Sequence, residues 1–346
     1  MVSLSYPPKP RPGDRVAVVS PSAGLPAVFP HVYELGLRRL REEFGLEPVE
    51  YPTTRAAGAD PRDRARDLTA AFADPGITAV LATVGGDDLI TVTPHLDDDV
   101  LRANPKPYFG YSDNTNVLNH LYRLGIVAYH GGSVLVHLGR PGAPHPLTFD
   151  SLRAALFTTG WYDLTPAPFW GDRPNPWHEP EMLAYEPEML PGSGWRWHGP
   201  ARVVRGRTWG GCLEILHWLM ATDRVPTVDQ LTGSVLVFET SNELPGAREV
   251  FRIVRNMGER GLLAAFPAVV VGRPKAWDFD KPFSVPERLA WGEAQRDAII
   301  RALATYNPDA VVVFDVDLGH TDPQLIIPYG GEIRVDAVDH RIAVRY

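Results

Sequence analysis

One cysteine, Cys212, is all that 346 residues provide, and a lone thiol excludes both a disulfide framework and a multi-cysteine zinc site. No run approaches the ~18 consecutive apolar residues of a membrane-spanning helix. The opening MVSLSYPPKPRPGD lacks the apolar stretch of a secretory signal. The expectation is a cytoplasmic protein with no membrane partner. Walker and dinucleotide fingerprints are missing too, so ATP and NAD have no support and no cofactor is expected. Positive charge is short: 34 Lys+Arg against 42 Asp+Glu leave −8, a balance unsuited to a nucleic-acid partner. Internal repeats and low-complexity runs are absent.

What is present suits a folded enzyme-sized chain. Hydrophobic residues make up 44%, and the length corresponds to two domains at roughly 100–200 residues each. The 34 prolines, at about twice the usual ~5%, lie scattered between apolar runs and read as stiff loops. From Arg15 to about Phe157, short β-branched runs (16–20, 77–84 and 106–111) alternate with helical stretches (31–45, 61–76 and 114–125). That alternation predicts an N-terminal doubly wound, mostly parallel sheet of flavodoxin or amidotransferase type. Residues 1–165 are read as this α/β domain. Residues 166–200 are read as an ordered Pro/Trp-rich linker or lid, because Trp170, Trp177, Trp195 and Trp197 fall inside it and Trp209 just beyond. Residues 201–346 predict a second α/β domain. It closes in an alternating segment, 325–346, that reads as a small antiparallel sheet with turns at Tyr329-Gly330-Gly331 and Asp339-His340.

Ligands of open parallel sheets bind beyond the carboxyl ends of the strands, so the polar residues after each apolar run carry the information. Four groups stand out: Gly85-Gly86-Asp87-Asp88, Ser112-Asp113-Asn114-Thr115, Glu239-Thr240-Ser241-Asn242-Glu243 and His320-Thr321-Asp322. Ser112 sits where a nucleophile would turn from strand to helix, although GYSDN keeps only the first glycine of that motif; the alternative is a helix cap. His320 is the best-placed base, or else a solvated loop histidine. Glu239 ends an apolar run, where a carboxylate orients a histidine, or else caps a helix or makes a salt bridge. The glycines form a turn or let a backbone N–H reach an oxyanion. A rival is a metal hydrolase built on Asp315, Asp317, His320 and Asp322 with Asp87-Asp88, although no HExxH spacing occurs. A non-catalytic nucleotide- or peptide-binding protein is the other. Cys212 reads as a buried residue, and Ser20 and Ser22 as turn caps.

As a set, GDRVAVVSPSAG (13–24), TVGGDD (83–88), YFGYSDNT (108–115), GGCLEILHWL (210–219), VLVFETSNE (235–243) and DLGHTDPQ (317–324) resemble the serine peptidase family of LD-carboxypeptidases and microcin C immunity peptidases. The resemblance spans nearly the whole chain and is closer to the immunity branch, since the Arg-Gly-Gly-Tyr-Gly string of the murein-recycling branch is absent at 83–87. It implies Ser112 as nucleophile, His320 as base, Glu239 as its orienting acid, and Gly86 and Asp113 as oxyanion-hole donors, with the site between two domains. It also implies a homodimer, and as substrate a peptidyl- or aminoacyl-nucleotide, or alternatively a murein tetrapeptide. Trp177 is the candidate for stacking on the substrate, with packing as its other role. Cys212 stands where relatives often carry Asn.

Overall fold

The N-terminal half of the computed structural model, which describes residues 4–346, alternates strand and helix as the spacing predicts. In order come β1 (Arg15–Val19), α1 (Pro30–Phe44), β2 (Glu47–Glu50), α2 (Pro61–Ala73), β3 (Ile77–Ala82), α3 (Asp98–Ala103), β4 (Tyr108–Gly110), α4 (Thr115–Arg123), β5 (Ala128–His130) and α5 (Pro146–Phe157). The helix ends follow local chemistry. Pro30 opens α1, and Gly45, left-handed at φ 64°, closes it. The Asp60 carboxylate caps α2 through the Arg62 N–H. Residues 1–3, part of the opening segment read for a signal, lie outside the described residues.

The remainder supplies β6 (Trp161–Leu164), β7 (Phe169–Trp170), β8 (Leu190–Pro191), β9 (Arg196–His198), β10 (Val203–Cys212), α6 (Leu213–Met220), α7 (Val228–Leu231), β11 (Val235–Glu239), α8 (Ala247–Glu259), β12 (Ala268–Gly272), α9 (Val285–Tyr306), β13 (Val311–Val316), β14 (Ile327–Tyr329), β15 (Glu332–Asp336) and β16 (Arg341–Arg345). The first sheet runs β14-β5-β4-β3-β1-β2 and the second β6-β16-β15-β10-β11-β12-β13-β9, with β7 and β8 paired apart. Strands β1 to β5 are parallel, as are β10 to β13. Continuous burial of β11, β12 and β13 explains their unbroken Val-rich runs.

Two strands cross between the halves. β14 leaves the second half and pairs antiparallel with β5, while β6, from the first, pairs with β16. Tyr329-Gly330-Gly331 therefore carries the chain from one sheet to the other, not round a hairpin; the expected turn at Asp339-His340 does join β15 to β16. Alternation identified these strands, but it carries no signal of a partner so far away. Within residues 166–200, β9 extends the edge of the second sheet at β13, Trp170 is buried, and Trp177, Trp195 and Trp197 pack on the apolar core.

Helix α4 is wedged between the sheets. Thr115 Oγ1 accepts from the Cys212 N–H at 3.0 Å, and Trp209 Nε1 donates to Asn119 Oδ1 at 3.1 Å. The approach requires Gly211, where an added Cβ would lie 2.5 Å from Thr115 Oγ1. One apolar core thus runs from Val80 through Trp209 to Val312, and emptying the Trp209 position would cost about 3–5 kcal/mol.

Two histidines inside this framework, His130 and His137, are pushed down by burial, to about 4 and about 3, so both are neutral at pH 7. The unfolded chain binds their protons near pH 6.5 and the folded chain does not, so stability is lost as pH falls below about 6.5 and until the folded pKa values are reached. Between pH 7 and pH 5 each contributes a loss of about 2 kcal/mol. Urea denaturation at the two pH values should show the loss, and His137→Gln should remove about 2 kcal/mol of it.

Candidate active site

β4 ends at Gly110, and the chain turns through Tyr111 and Ser112 into α4. Ser112 adopts φ +62°, a left-handed conformation that costs a non-glycine residue about 1–3 kcal/mol and persists only where its surroundings enforce it. The surroundings are Asn114 and Asp113. Asn114 Nδ2 donates to Val84 O at 3.1 Å and Tyr111 O at 3.0 Å, while its Oδ1 accepts from Tyr108 OH at 2.5 Å. The buried Asp113 carboxylate accepts from Ser22 Oγ at 2.5 Å, the Leu89 N–H at 2.9 Å and Asn116 Nδ2 at 2.9 Å. Burial pushes the Asp113 carboxyl up, and the Ser22 and Leu89 hydrogen bonds oppose it.

These bonds fasten the 84–89 loop against the turn so closely that a Cβ at Gly85 would stand 2.8 Å from Ser112 Cβ. Among the described residues, none accepts from the N–H of Gly86 or Asp113. The serine does not cap α4. Its Oγ lies 3.1 Å from His320 Nε2, and His320 Nδ1 lies 2.6 Å from Glu239 Oε2.

Glu239 is the last residue of β11, and His320 follows β13 by four positions. Glycines make room for the carboxylate: an added Cβ would meet Glu239 Cβ at 2.6 Å from Gly272 and Glu239 Oε2 at 2.5 Å from Gly319, which is left-handed at φ +92°. Burial raises the Glu239 carboxyl, but His320 beside it and His130 nearby outweigh burial and hold it below its ordinary value. An ionised acceptor here keeps the Nδ1 proton on the ring and leaves Nε2 free to take a hydroxyl proton. The Tyr111 ring packs 4.9 Å from His320 and 5.1 Å from His137.

The other candidates have separate partners. Asp315 pairs with Arg296 at 2.7 Å, Asp322 with Arg140 at 2.8 Å and Asp88 with Arg64 at 2.6 Å. Asp317 accepts from the Ala167 N–H and from Trp195 Nε1. Among the described residues no three His, Cys, Asp or Glu side chains group as metal ligands. Ser20 bonds to Thr54 O and Thr83 Oγ1, and Ser22 to Asp113. Cys212 is buried, with its thiol pushed up by burial and against Glu214 Oε2 at 3.4 Å, so it is no thiolate.

A cavity of about 750 Å³ opens at the serine, lined by Gly86, Ser112, Trp177, Cys212, Glu243 and His320 among others. Trp177 stands edge-on to Phe29 with ring centres 5.5 Å apart. Sequence reasoning missed Tyr111, His130, His137 and Lys275. For Lys275 the sequence does carry a signal, since it closely follows the apolar run AFPAVVVG at 265–272.

The fold is a two-sheet α/β one of the MccF type. MccF in complex with glutamyl sulfamoyl guanosine superposes with a TM-score of 0.84 over 98% of both chains, at 23% identity. An MccF-like protein from Streptococcus pneumoniae in complex with AMP does so at 0.83 over 96% of this chain and 99% of that one, at 25% identity. The profile of the LD-carboxypeptidase N-terminal domain matches residues 16–131 and that of the C-terminal domain residues 205–335. The chain belongs to the LD-carboxypeptidase family, which is one of serine carboxypeptidase-type enzymes.

Its relatives include a protein named as a carboxypeptidase in Streptomyces coelicolor, 30% identical over 97% of this chain and 95% of that one. The microcin C7 self-immunity protein MccF of Escherichia coli is 25% identical over 82% and 78%. The murein tetrapeptide carboxypeptidase of Pseudomonas aeruginosa is 34% identical over 34% and 38%.

Gly319→Ala is expected to push Glu239 away from His320. A displacement of about 1 Å lowers kcat/KM by about 100-fold, and the left-handed backbone adds a stability loss of about 1 kcal/mol or more. Steady-state kinetics beside thermal denaturation would check both, and unchanged kinetics would refute the positioning argument.

Proposed function

We propose that the chain is a serine hydrolase cleaving an amide bond near a carboxyl-terminal group, with peptidyl- or aminoacyl-nucleotides as its substrates. The observation that carries this reading is the run of contacts from Ser112 Oγ through the His320 ring to Glu239, 3.1 Å and 2.6 Å. Ser112 attacks the acyl carbon while His320 takes its proton, and Glu239 balances the imidazolium. The oxyanion lies against the Gly86 and Asp113 N–H groups, which the helix dipole of α4 reinforces. Collapse sends the proton from His320 to the leaving amine. Water, activated by the same ring, then hydrolyses the acyl-serine.

Trp177 is the stacking surface for the base. The nucleotide preference is supported by the likeness to MccF and to the MccF-like protein that binds AMP. The second reading, LD-carboxypeptidase action on murein tetrapeptides, is supported by the family itself and by the Pseudomonas relative. A cytoplasmic homodimer completes the proposal, and light scattering on the purified protein would read the assembly.

The decisive assay follows hydrolysis of an aminoacyl-sulfamoyl-adenosine and an LD-linked murein tetrapeptide by mass spectrometry, with wild type and Ser112→Ala. Cleavage of the nucleotide conjugate alone, abolished in the variant, is expected. Cleavage of the tetrapeptide alone would establish the second reading, and binding without turnover a sequestering protein. Activity surviving in Ser112→Ala would remove the serine from the mechanism. Base stacking contributes about 1–3 kcal/mol, so Trp177→Ala should raise KM for the nucleotide conjugate by about 5- to 150-fold while kcat changes little.

A further inference from the structure

The strand-end position that yields Glu239 after β11 and His320 after β13 also points to the strand between them. β12 ends at Gly272, and three residues on stands Lys275, 5% exposed. It lines the large cavity and also a smaller one of about 100 Å³, and His320 borders both. Its Nζ donates to the Asp172 carbonyl at 2.6 Å, one acceptor for a group with three donors. Among the described residues no carboxylate forms an ion pair with it. The Asp172 carboxylate is engaged by Arg288 at 2.7 Å and the Ala276 N–H at 3.0 Å. Burial pushes the Lys275 ammonium pKa down, with Asp172 and Asp278 pulling the other way. A buried ammonium without a direct ion-pair partner is costly.

The other cations lining these cavities are differently placed. Arg140 is neutralised by Asp322 and Glu186, and Arg173, exposed, lies over the Trp277 ring. The large cavity's carboxylates are Asp87, Glu214, Glu243 and Asp278, which repel negative charge. An anionic group entering beside His320 therefore has one buried, unpaired cation to meet.

We infer that Lys275 binds an anionic group carried by the leaving amine, holding it beside His320 while the amide is cleaved. The inference rests on the hydrolase reading and narrows its substrates to amides whose nitrogen has negative charge within about three bonds. Two chemistries supply that: the α-carboxylate of a terminal amino acid, and the phosphoramidate of a nucleotide conjugate, which an acyl sulfamate mimics once its acidic amide N–H ionises and spreads the charge onto the sulfonyl oxygens. Lys275 is then the residue that separates such substrates from ordinary internal amides.

Two ligand pairs test this, each an anion with its neutral counterpart. One is an LD-linked tetrapeptide and its C-terminal carboxamide. The other is an aminoacyl-sulfamoyl-adenosine and the corresponding aminoacyl amide of 5′-amino-5′-deoxyadenosine. Calorimetry on Ser112→Ala protein, with and without Lys275→Met, makes the readout independent of turnover. The lysine-containing protein should favour the anion of one pair by about 10- to 100-fold, the range of a charge-assisted hydrogen bond, and that pair identifies the source. The preference should fall below about threefold in Lys275→Met and recover partly in Lys275→Arg. Equal weakening of both members of a pair, the mark of a merely structural lysine, overturns the inference. So does the absence of any preference for, or binding of, either anion when the lysine is present. Failure of the hydrolase reading shows separately, as no turnover by the wild type of a compound bound with this preference.

Discussion

A 2.6 Å contact between a buried carboxylate and an imidazole constrains everything around it. Glu239 has no room to move, because Gly272 and Gly319 close on it from two sides, and it has no reason to protonate, because His320 offsets its burial. The price is a second carboxylate oxygen, Oε1, buried without a partner among the described residues. Such an arrangement is stable only if the rest of the molecule fixes His320 from its other side, and the Tyr111 ring, itself packed on His137, does so.

The two halves contribute unlike things to the cleft. The first supplies a strained turn, with Ser112 held left-handed by the Asn114 and Asp113 hydrogen bonds. The second supplies ionisable side chains, delivered from the ends of three adjacent parallel strands as Glu239, Lys275 and His320. Helix α4, wedged against Trp209 and Cys212, sets the distance between the halves. The geometry at the serine is therefore a property of both cores, not of a loop.

Much of this was legible in the sequence, and the reasons are local. Unbroken β-branched runs mark β1 and β3, and β11, β12 and β13 carry runs of the same kind, because a strand buried on both faces needs no alternation. Polar residues directly after those runs pointed to Ser112, Glu239 and His320 because parallel strands share one carboxyl edge. What escaped was non-local. Nothing in residues 325–331 says that β14 pairs with β5, since alternation reports a face and not a partner. The resemblance points to Asp113 only for its backbone N–H, and Asn114 reads as the start of a helix; only the fold brings Val84, Leu89 and Ser22 within reach of their side chains. His130 and His137 carry no motif; their meaning comes from burial, which only the fold shows.

The exchange of β6 and β14 between the sheets bears on how the cleft can open. In a two-domain enzyme joined by a single hinge, the halves swing apart as jaws. Here each half carries a strand stitched into the other's sheet, the Ile327–Tyr329 ladder on β5 and the Trp161–Leu164 ladder on β16. Separation would have to tear backbone ladders on both sides. The walls of the cleft are thus tied to each other by main-chain hydrogen bonds on both sides, and no single pivot lies between them.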